Sequence, residues 1–175
     1  LFVKREQIKS VTFIMVSRLI VEKGVRYYYE SAKKIKKSGF NANFILLGNL
    51  CHGKSAIDIS EIEKWKKEGV IEYLGETDDV RPFLEKANIF VLPTYYREGV
   101  PRTCMEAMAS GMPIITTDVP GCRETVIDGK NGFLIEPKNI ESLTSAMLKF
   151  VNNPDIIDSM SQYGRKLVER KFNIK

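Results

Sequence analysis

The chain has 175 residues, of which 43% are hydrophobic and 28% are charged, and this mixture is typical of a globular domain with a hydrophobic core. Its 27 basic and 22 acidic residues give a net charge of +5, which supports polyanion binding only weakly. Three cysteines and a single histidine, His52, exclude a disulfide framework and a histidine-based metal cluster. The apolar runs are far too short to cross a bilayer. Because the first residue is Leu1 rather than methionine, we expect a piece of a longer protein.

Short apolar runs alternate with longer amphipathic stretches along almost the whole chain. The first run, 11–16, is rich in β-branched and aromatic residues and predicts a buried strand. The stretch 24–37 has one apolar stripe and predicts a helix. Further strands are predicted at 44–47, 71–74, 89–92, 114–116 and 132–135, and further helices at 60–68, 80–86, 102–110, 140–152 and 154–170.

This alternation indicates the fold class. Strands that are apolar along their whole length, each followed by a helix, are typical of a parallel sheet that is covered on both faces. We therefore expect an α/β fold, a Rossmann-like doubly wound parallel sheet of about six strands with helices on both faces, in a single domain over residues 1–175. Ligands bind such sheets at the carboxyl ends of the strands, so the loops there are the candidate sites.

Four lysines cluster near the end of the first predicted helix: Lys33, Lys34, Lys36 and Lys37. Cations at this end of a helix complement its dipole, and a solvated helix face is the first interpretation. Docking to an anionic membrane surface is the alternative.

The loop after the first strand carries two cations, Arg18 and Lys23, just before a helix begins. A helix N-terminus attracts anions, and a planar guanidinium beside a lysine ammonium would suit a diphosphate. The alternative is two surface cations in a polar loop. The chain has no GxGxxG motif, so conventional dinucleotide binding loses its main support.

The segment after the fourth strand carries two glutamates, Glu98 and Glu106, with seven residues between them. If all of it were helical, they would lie about 12 Å apart along the axis, too far for a two-carboxylate glycosidase. The spacing suits a long ligand contacted at both ends, with the amides of Gly99 and Val100 between. Alternatively, the glutamates only solvate a helix. The apolar neighbours of Glu106 predict a largely buried carboxylate, which would need a partner or a ligand.

Several blocks of the chain, taken in order, resemble a known family. It is the C-terminal, nucleotide-sugar-binding half of retaining glycosyltransferases of family 4, which have the GT-B fold. The resemblance implies that an N-terminal acceptor-binding domain is absent from this chain. The blocks are Ser17-Arg18-Leu19 with Glu22-Lys23-Gly24, Leu46-Leu47-Gly48, Tyr73-Leu74-Gly75, Glu98-Gly99-Val100-Pro101 through Glu106-Ala107-Met108-Ala109, Gly111-Met112-Pro113-Ile114-Ile115, Gly121-Cys122-Arg123-Glu124 and Asn131-Gly132-Phe133-Leu134.

The resemblance also implies site residues. Arg18 and Lys23 would bind the donor diphosphate and stabilise the leaving group, and Glu98 would hold the transferred sugar, which makes these three the catalytic candidates. Glu106 would hold the ribose hydroxyls, and the loop near Thr77 would contact the base largely through its backbone. No metal or other cofactor is implied. The remaining donor-binding candidates are Gly48, Gly99, Val100 and Thr103.

The function that the resemblance implies is transfer of a sugar from a nucleotide sugar, most often a UDP-hexose or UDP-N-acetylhexosamine, to a glycan or lipid-linked acceptor. It implies a bacterial cytoplasmic enzyme of polysaccharide biosynthesis, with peripheral contact to the cytoplasmic face of the membrane, and an inactive isolated fragment. Two alternatives stay open: a nucleotide-sugar epimerase of the same architecture and a non-catalytic nucleotide-binding module. A nucleic-acid binder is disfavoured because the chain has no recognition-helix signature and no stacking motif.

Overall fold

A computed structural model describes residues 8–97 and 99–172 of the chain. Within these residues, the strands are β1 (Val11–Val16), β2 (Ala42–Leu47), β3 (Glu72–Tyr73), β4 (Ile89–Leu92), β5 (Ile114–Thr117) and β6 (Gly132–Ile135). The helices are α1 (Val25–Lys37), α2 (Ile59–Lys67), α3 (Arg81–Leu84), α4 (Arg102–Ala109), α5 (Ile140–Asn152) and α6 (Ile156–Lys171). Two short 3-10 helices, Val21–Lys23 and Cys122–Thr125, were not predicted from the sequence.

The strands form one six-stranded sheet in the order β3-β2-β1-β4-β5-β6, and the neighbouring strands pair in parallel. This is the order of a Rossmann-like sheet, so the predicted fold class is confirmed. The strand order reverses direction between β1 and β4, where Phe13 pairs with Ile89. The loops that leave these two strands therefore separate to opposite faces, which opens a crevice at the carboxyl edge of the sheet.

The core lies between the sheet and the helices on its two faces. The rings of Phe13 on β1 and Phe44 on β2 stack with centroids 5.3 Å apart. Tyr28 of α1 is fully buried, and its hydroxyl shares one bifurcated hydrogen bond between the carbonyls of Phe13 (3.1 Å) and Ile45 (3.0 Å). Burial raises the pKa of this tyrosine well above its usual value, so it stays a neutral donor that ties α1 to two strands.

The lysines at the end of α1 contact neighbouring elements. Lys33 and Lys34 form ion pairs with Glu68 and Glu141, and Lys36 donates a hydrogen bond to the carbonyl of Gly69 (2.7 Å). This part of the helix is therefore more than a solvated face, because its side chains join α1 to the chain after α2 and to α5.

Carboxylates hold both ends of α2. The Asp58 carboxylate accepts a hydrogen bond from the amide of Ser60 (2.7 Å), and Glu61 accepts two from the Arg26 guanidinium, each 2.8 Å long. At the far end, Glu68 accepts from the Tyr29 hydroxyl. These hydrogen bonds lower the pKa of all three carboxyl groups.

The lowered pKa of Glu61 predicts a pH-dependent contribution to stability. Because its folded pKa lies below the unfolded value of about 4.3, the contribution is fully present above that value and is lost as pH falls through the folded pKa. We expect Glu61→Gln to have a lower urea midpoint than wild type at pH 7, and the difference to shrink towards pH 3. A difference that stays constant over this range would show that Glu61 does not stabilise the fold through its charge.

No helix within residues 8–97 and 99–172 has the length and the apolar composition that crossing a bilayer requires.

Candidate active site

Three loops meet at the carboxyl edge of the sheet: the β1 loop (17–24), the β2 loop (48–58) and the β4 loop (described over 93–97 and 99–101). Main-chain hydrogen bonds join the first to the second, from Leu19 N to Asn49 O (3.1 Å) and from Val21 N to Ser55 O (2.8 Å). The amide of Tyr95 in the β4 loop donates to a carbonyl of the β1 loop (2.9 Å). The β1 loop is thus held from both sides at the point where the strand order reverses.

Two glycines allow these loops to approach each other closely. Gly24 has φ +81°, and a Cβ there would lie 2.1 Å from the carbonyl oxygen of Pro93. Gly48 has φ +153°, and a Cβ would lie 1.7 Å from the carbonyl oxygen of Ser17. A side chain at either position would have to displace the neighbouring backbone, so both positions require glycine. The predicted donor residue Gly48 thus lies at the crevice, where its carbonyl accepts a hydrogen bond from the Tyr73 hydroxyl (2.9 Å).

The two predicted cations lie in the β1 loop but in different environments. Arg18 is exposed, whereas Lys23, on the 3-10 helix Val21–Lys23, is only 8% exposed. The Nζ of Lys23 lies 5.5 Å from the centroid of the Tyr96 ring, which is within the range of a cation–π contact. A buried ammonium has lost much of its hydration and interacts more strongly with an anion than a solvated one does.

The helices α1 and α4, which start beside the crevice, have open N-termini. Gly24 precedes α1 and Pro101 precedes α4, and neither provides a side-chain cap. Neither helix has an acidic residue in its first turn. By contrast, Asp58 and Asn139 cap α2 and α5 through their side chains. Within residues 8–97 and 99–172, neither Gly24 nor Pro101 caps the first-turn amides of its helix, and together with Lys23 these amides provide partial and full positive charge for an anion.

The position of Glu106 corrects an expectation from the sequence. The carboxylate is not buried: its side chain is 45% exposed, and one oxygen lies 4.0 Å from a guanidinium nitrogen of Arg102. The helical period explains this, since α4 turns Cys104 and Ala107 into the core and leaves Arg102 and Glu106 outside. Glu106 can therefore reach a ligand without first breaking a buried ion pair.

The other predicted contacts lie in the β4 loop, on α4 and after β3. Gly99 is exposed with open space where a Cβ would be, and Val100 and Thr103 are half-buried. The Thr77 hydroxyl accepts from the Asp79 amide (3.2 Å) and donates to the Asp79 carbonyl (3.1 Å), so its hydrogen bonds stay within its own loop. Glu98 lies outside the described residues, so its assignment stays a prediction.

The sequence analysis did not single out two side chains of this edge, Glu22 and Tyr96. Tyr96 is 42% exposed beside Lys23, and Glu22 precedes that lysine in the chain. Their only signal in the sequence is position: Glu22 lies in the block Glu22-Lys23-Gly24, and Tyr96 lies two residues before Glu98. In the described part of the chain, no group of three or more His, Cys, Asp and Glu side chains is arranged to hold a metal ion.

Comparison with known proteins identifies the family. Residues 2–167 match the model of "Glycosyl transferases group 1". The capsular polysaccharide biosynthesis glycosyltransferase CapM of Staphylococcus aureus is 30% identical over 158 residues, which cover 90% of this chain and 41% of that protein. The N,N'-diacetylbacillosaminyl-diphospho-undecaprenol alpha-1,3-N-acetylgalactosaminyltransferase of Campylobacter jejuni is 34% identical over 136 residues, which cover 78% of this chain and 34% of that protein.

A solved structure shares the fold. HepE of Anabaena in complex with UDP superposes with a TM-score of 0.82 at 19% identity, and the match covers 93% of this chain and 45% of HepE. The chain thus spans less than half the length of each of these relatives. The family model matches nearly all of the chain, and the sheet has the expected strand order. The chain therefore belongs to the group 1 glycosyltransferases, and it is consistent with the C-terminal domain of a GT-B enzyme.

Proposed function

We propose that this chain is the donor-binding domain of a retaining, metal-independent glycosyltransferase whose acceptor-binding domain lies outside it. The donor is a nucleoside-diphosphate sugar, a UDP-hexose or UDP-N-acetylhexosamine, and the acceptor is a glycan or a lipid-linked sugar. One observation carries this proposal: the nearly buried Lys23 lies beside the switch point, where α1 and α4 begin with open N-termini. The complex of HepE with UDP and the substrate named for the Campylobacter relative support it.

The chemical task in this proposal is to stabilise a departing diphosphate. When the bond between the anomeric carbon and the diphosphate oxygen breaks, its electron pair stays on that oxygen while the sugar becomes oxocarbenium-like. In this proposal, Lys23, Arg18 and the first amides of α1 and α4 stabilise this growing negative charge more than they stabilise the bound substrate. They take the place of a divalent cation.

The remaining candidates hold the rest of the donor. Glu98, with the amides of Gly99 and Val100, is proposed to hold the transferred sugar, and Glu106 and Thr103 on α4 to lie along the ribose and diphosphate. Gly48 would let the backbone approach the ligand, and the loop of Thr77 would contact the base. These contacts arrange the donor along the crevice with its anomeric carbon directed towards the acceptor domain.

The full-length enzyme is proposed to act in the bacterial cytoplasm, next to the membrane face. The support is chemical: the Campylobacter relative is named for a diphospho-undecaprenol substrate, and a lipid of this kind stays in the membrane.

A calorimetric panel tests the proposed donor. The 175-residue chain is titrated with UDP, GDP and ADP, with and without a chelator. We expect UDP to bind most tightly and the chelator to leave its affinity unchanged. Preference for another base would refute the UDP assignment, loss of binding on chelation would refute the metal-free mechanism, and no binding of any nucleotide would refute the function. In the full-length protein, product formed without an acceptor would instead indicate an epimerase.

Glu106 is predicted to bind the ribose hydroxyls. Glu106→Ala should weaken UDP binding about tenfold, the scale of a charge-assisted hydrogen bond. It should leave unchanged the affinity for the analogue of UDP that lacks both ribose hydroxyls. The matched control is Glu30→Ala, which removes another exposed glutamate from α1. If Glu106→Ala weakened both nucleotides equally, Glu106 would not contact the ribose.

A further inference from the structure

Glu22 is the residue at which the three loops of the crevice are joined. Its side-chain Oε1 accepts a hydrogen bond from the Ser55 hydroxyl of the β2 loop (2.7 Å). Its main-chain carbonyl accepts two from the β4 loop, from the Thr94 hydroxyl (3.1 Å) and from the Tyr95 amide (2.9 Å). A single residue of the β1 loop therefore contacts the loops on both sides of it.

The other side-chain oxygen of Glu22 lies in an unfavourable environment. Oε2 is buried and has no hydrogen-bond partner among the described residues. The hydrogen bond from Ser55 lowers the pKa of the carboxyl group, so Glu22 is ionised at neutral pH. Burying a carboxylate oxygen without a partner is unfavourable, and such groups in native proteins call for an explanation.

The two residues directly after Glu22 in the chain connect it to the positive groups of the crevice. The first is Lys23, whose amide closes the 3-10 turn onto the Ile20 carbonyl (3.1 Å), and the second is Gly24, after which α1 begins. The lysine and the open end of α1 thus belong to the same short segment as Glu22. Any shift of Glu22 relative to Ser55 or Thr94 would move both positive groups relative to the β4 loop.

We infer that Glu22 is a positioning residue for the diphosphate. Glu22 joins the β1 loop to Ser55 and to Thr94. It thereby fixes the position of the Lys23 ammonium and of the first amides of α1 relative to the β4 loop, so that these groups act on one anion. This inference rests on the proposed function. The role requires only that the side chain at position 22 offers an acceptor oxygen to the Ser55 hydroxyl. The amide oxygen of a glutamine can therefore replace the carboxylate oxygen.

The test compares a ligand that carries the diphosphate with one that does not. UDP is titrated by calorimetry and uridine by NMR into the wild-type chain and into Glu22→Ala, Glu22→Gln and Ser55→Ala. We expect Glu22→Ala to weaken UDP about tenfold, the scale of one hydrogen bond to a charged group, with uridine unchanged. Glu22→Gln should bind UDP within about twofold of wild type. The double variant of Glu22→Ala and Ser55→Ala should bind no more weakly than Glu22→Ala.

A matched control distinguishes the loss of a positioning contact from a general loss of stability. Glu68 also accepts a hydrogen bond from a hydroxyl, that of Tyr29, but lies at the far end of α2. Glu68→Ala should bind UDP as wild type does. Equal losses for UDP and uridine in Glu22→Ala would overturn the inference, as would a Glu22→Gln as weak as Glu22→Ala. If Glu22→Ala does not fold, wild-type UDP affinity in Ser55→Ala overturns it. A wild-type chain that binds no UDP refutes the proposed function itself.

Discussion

Replacing Lys23 by alanine in the full-length enzyme is expected to lower kcat/KM for sugar transfer by about 10²-fold or more, the scale of losing one preorganised charge from the transition state. Lys23 is only 8% exposed and lies on a turn held by hydrogen bonds on both sides, so water cannot readily take the place of its side chain. Because it acts on charge that develops as the bond breaks, kcat should fall more than the affinity for the donor. Steady-state kinetics with the nucleotide sugar varied would measure both.

Lys33 provides a matched control for this prediction. Its Nζ lies 5.2 Å from the centroid of the Tyr29 ring, much as that of Lys23 lies 5.5 Å from that of the Tyr96 ring, but Lys33 lies in the second half of α1. Lys33→Ala should keep activity within a few-fold of wild type. If Lys23→Ala were equally active, the cation that carries the proposal would not act on the leaving group. Arg18→Ala should also be impaired by about 10²-fold.

Gly24→Ala is expected to destabilise the fold by more than about 3 kcal/mol and to abolish UDP binding. The substitution combines two costs. An L-residue at φ +81° is strained by about 1–2 kcal/mol, and the added Cβ would lie 2.1 Å from the Pro93 carbonyl oxygen. The β1 and β4 loops would have to separate at the switch point, which displaces Lys23 and the start of α1. Urea unfolding and calorimetry would measure the two effects.

Gly39→Ala isolates the first cost, the strain of the left-handed conformation. Gly39 has φ +82°, nearly the same backbone conformation, but an added Cβ would have no atom within 4 Å. This variant should lose only about 1–2 kcal/mol, the cost of the left-handed conformation, and should bind UDP normally. Equal losses of stability in the two variants would mean that the contact between Gly24 and Pro93 is not tight in solution.

In the proposed function, more than one loop of the crevice contributes to the anion site. Gly24 and Gly48 bring different loops close together. The positive charge comes from a lysine on a 3-10 turn and from α1 and α4, helices whose first turns carry no acidic residues. In the proposed function, this surface needs no bound metal to hold a diphosphate.

The local elements and the fold class can be predicted from the amino-acid sequence. The predicted bounds of β1, β4, β6 and α5 agree with the structure, because a short apolar run and an amphipathic period are local properties of the chain. The alternation of strands and helices also predicts parallel pairing, since a crossover helix returns the chain to the same edge. The third strand is shorter than predicted, Glu72–Tyr73 in place of 71–74, since it lies at the sheet edge with one neighbour.

Tertiary packing settles which candidate side chains are buried and which loops touch. The sequence does not distinguish Arg18 from Lys23, yet one is exposed and the other nearly buried, and Glu106 points outward against expectation. The bond between Ser55 and Glu22 joins residues 33 positions apart. Such contacts depend on how distant segments pack at one edge of the sheet, and periodicity along the chain contains no information about that packing. The architecture and the family resemblance can therefore be read from local patterns and motifs, whereas the arrangement of the site arises only when the folded loops meet.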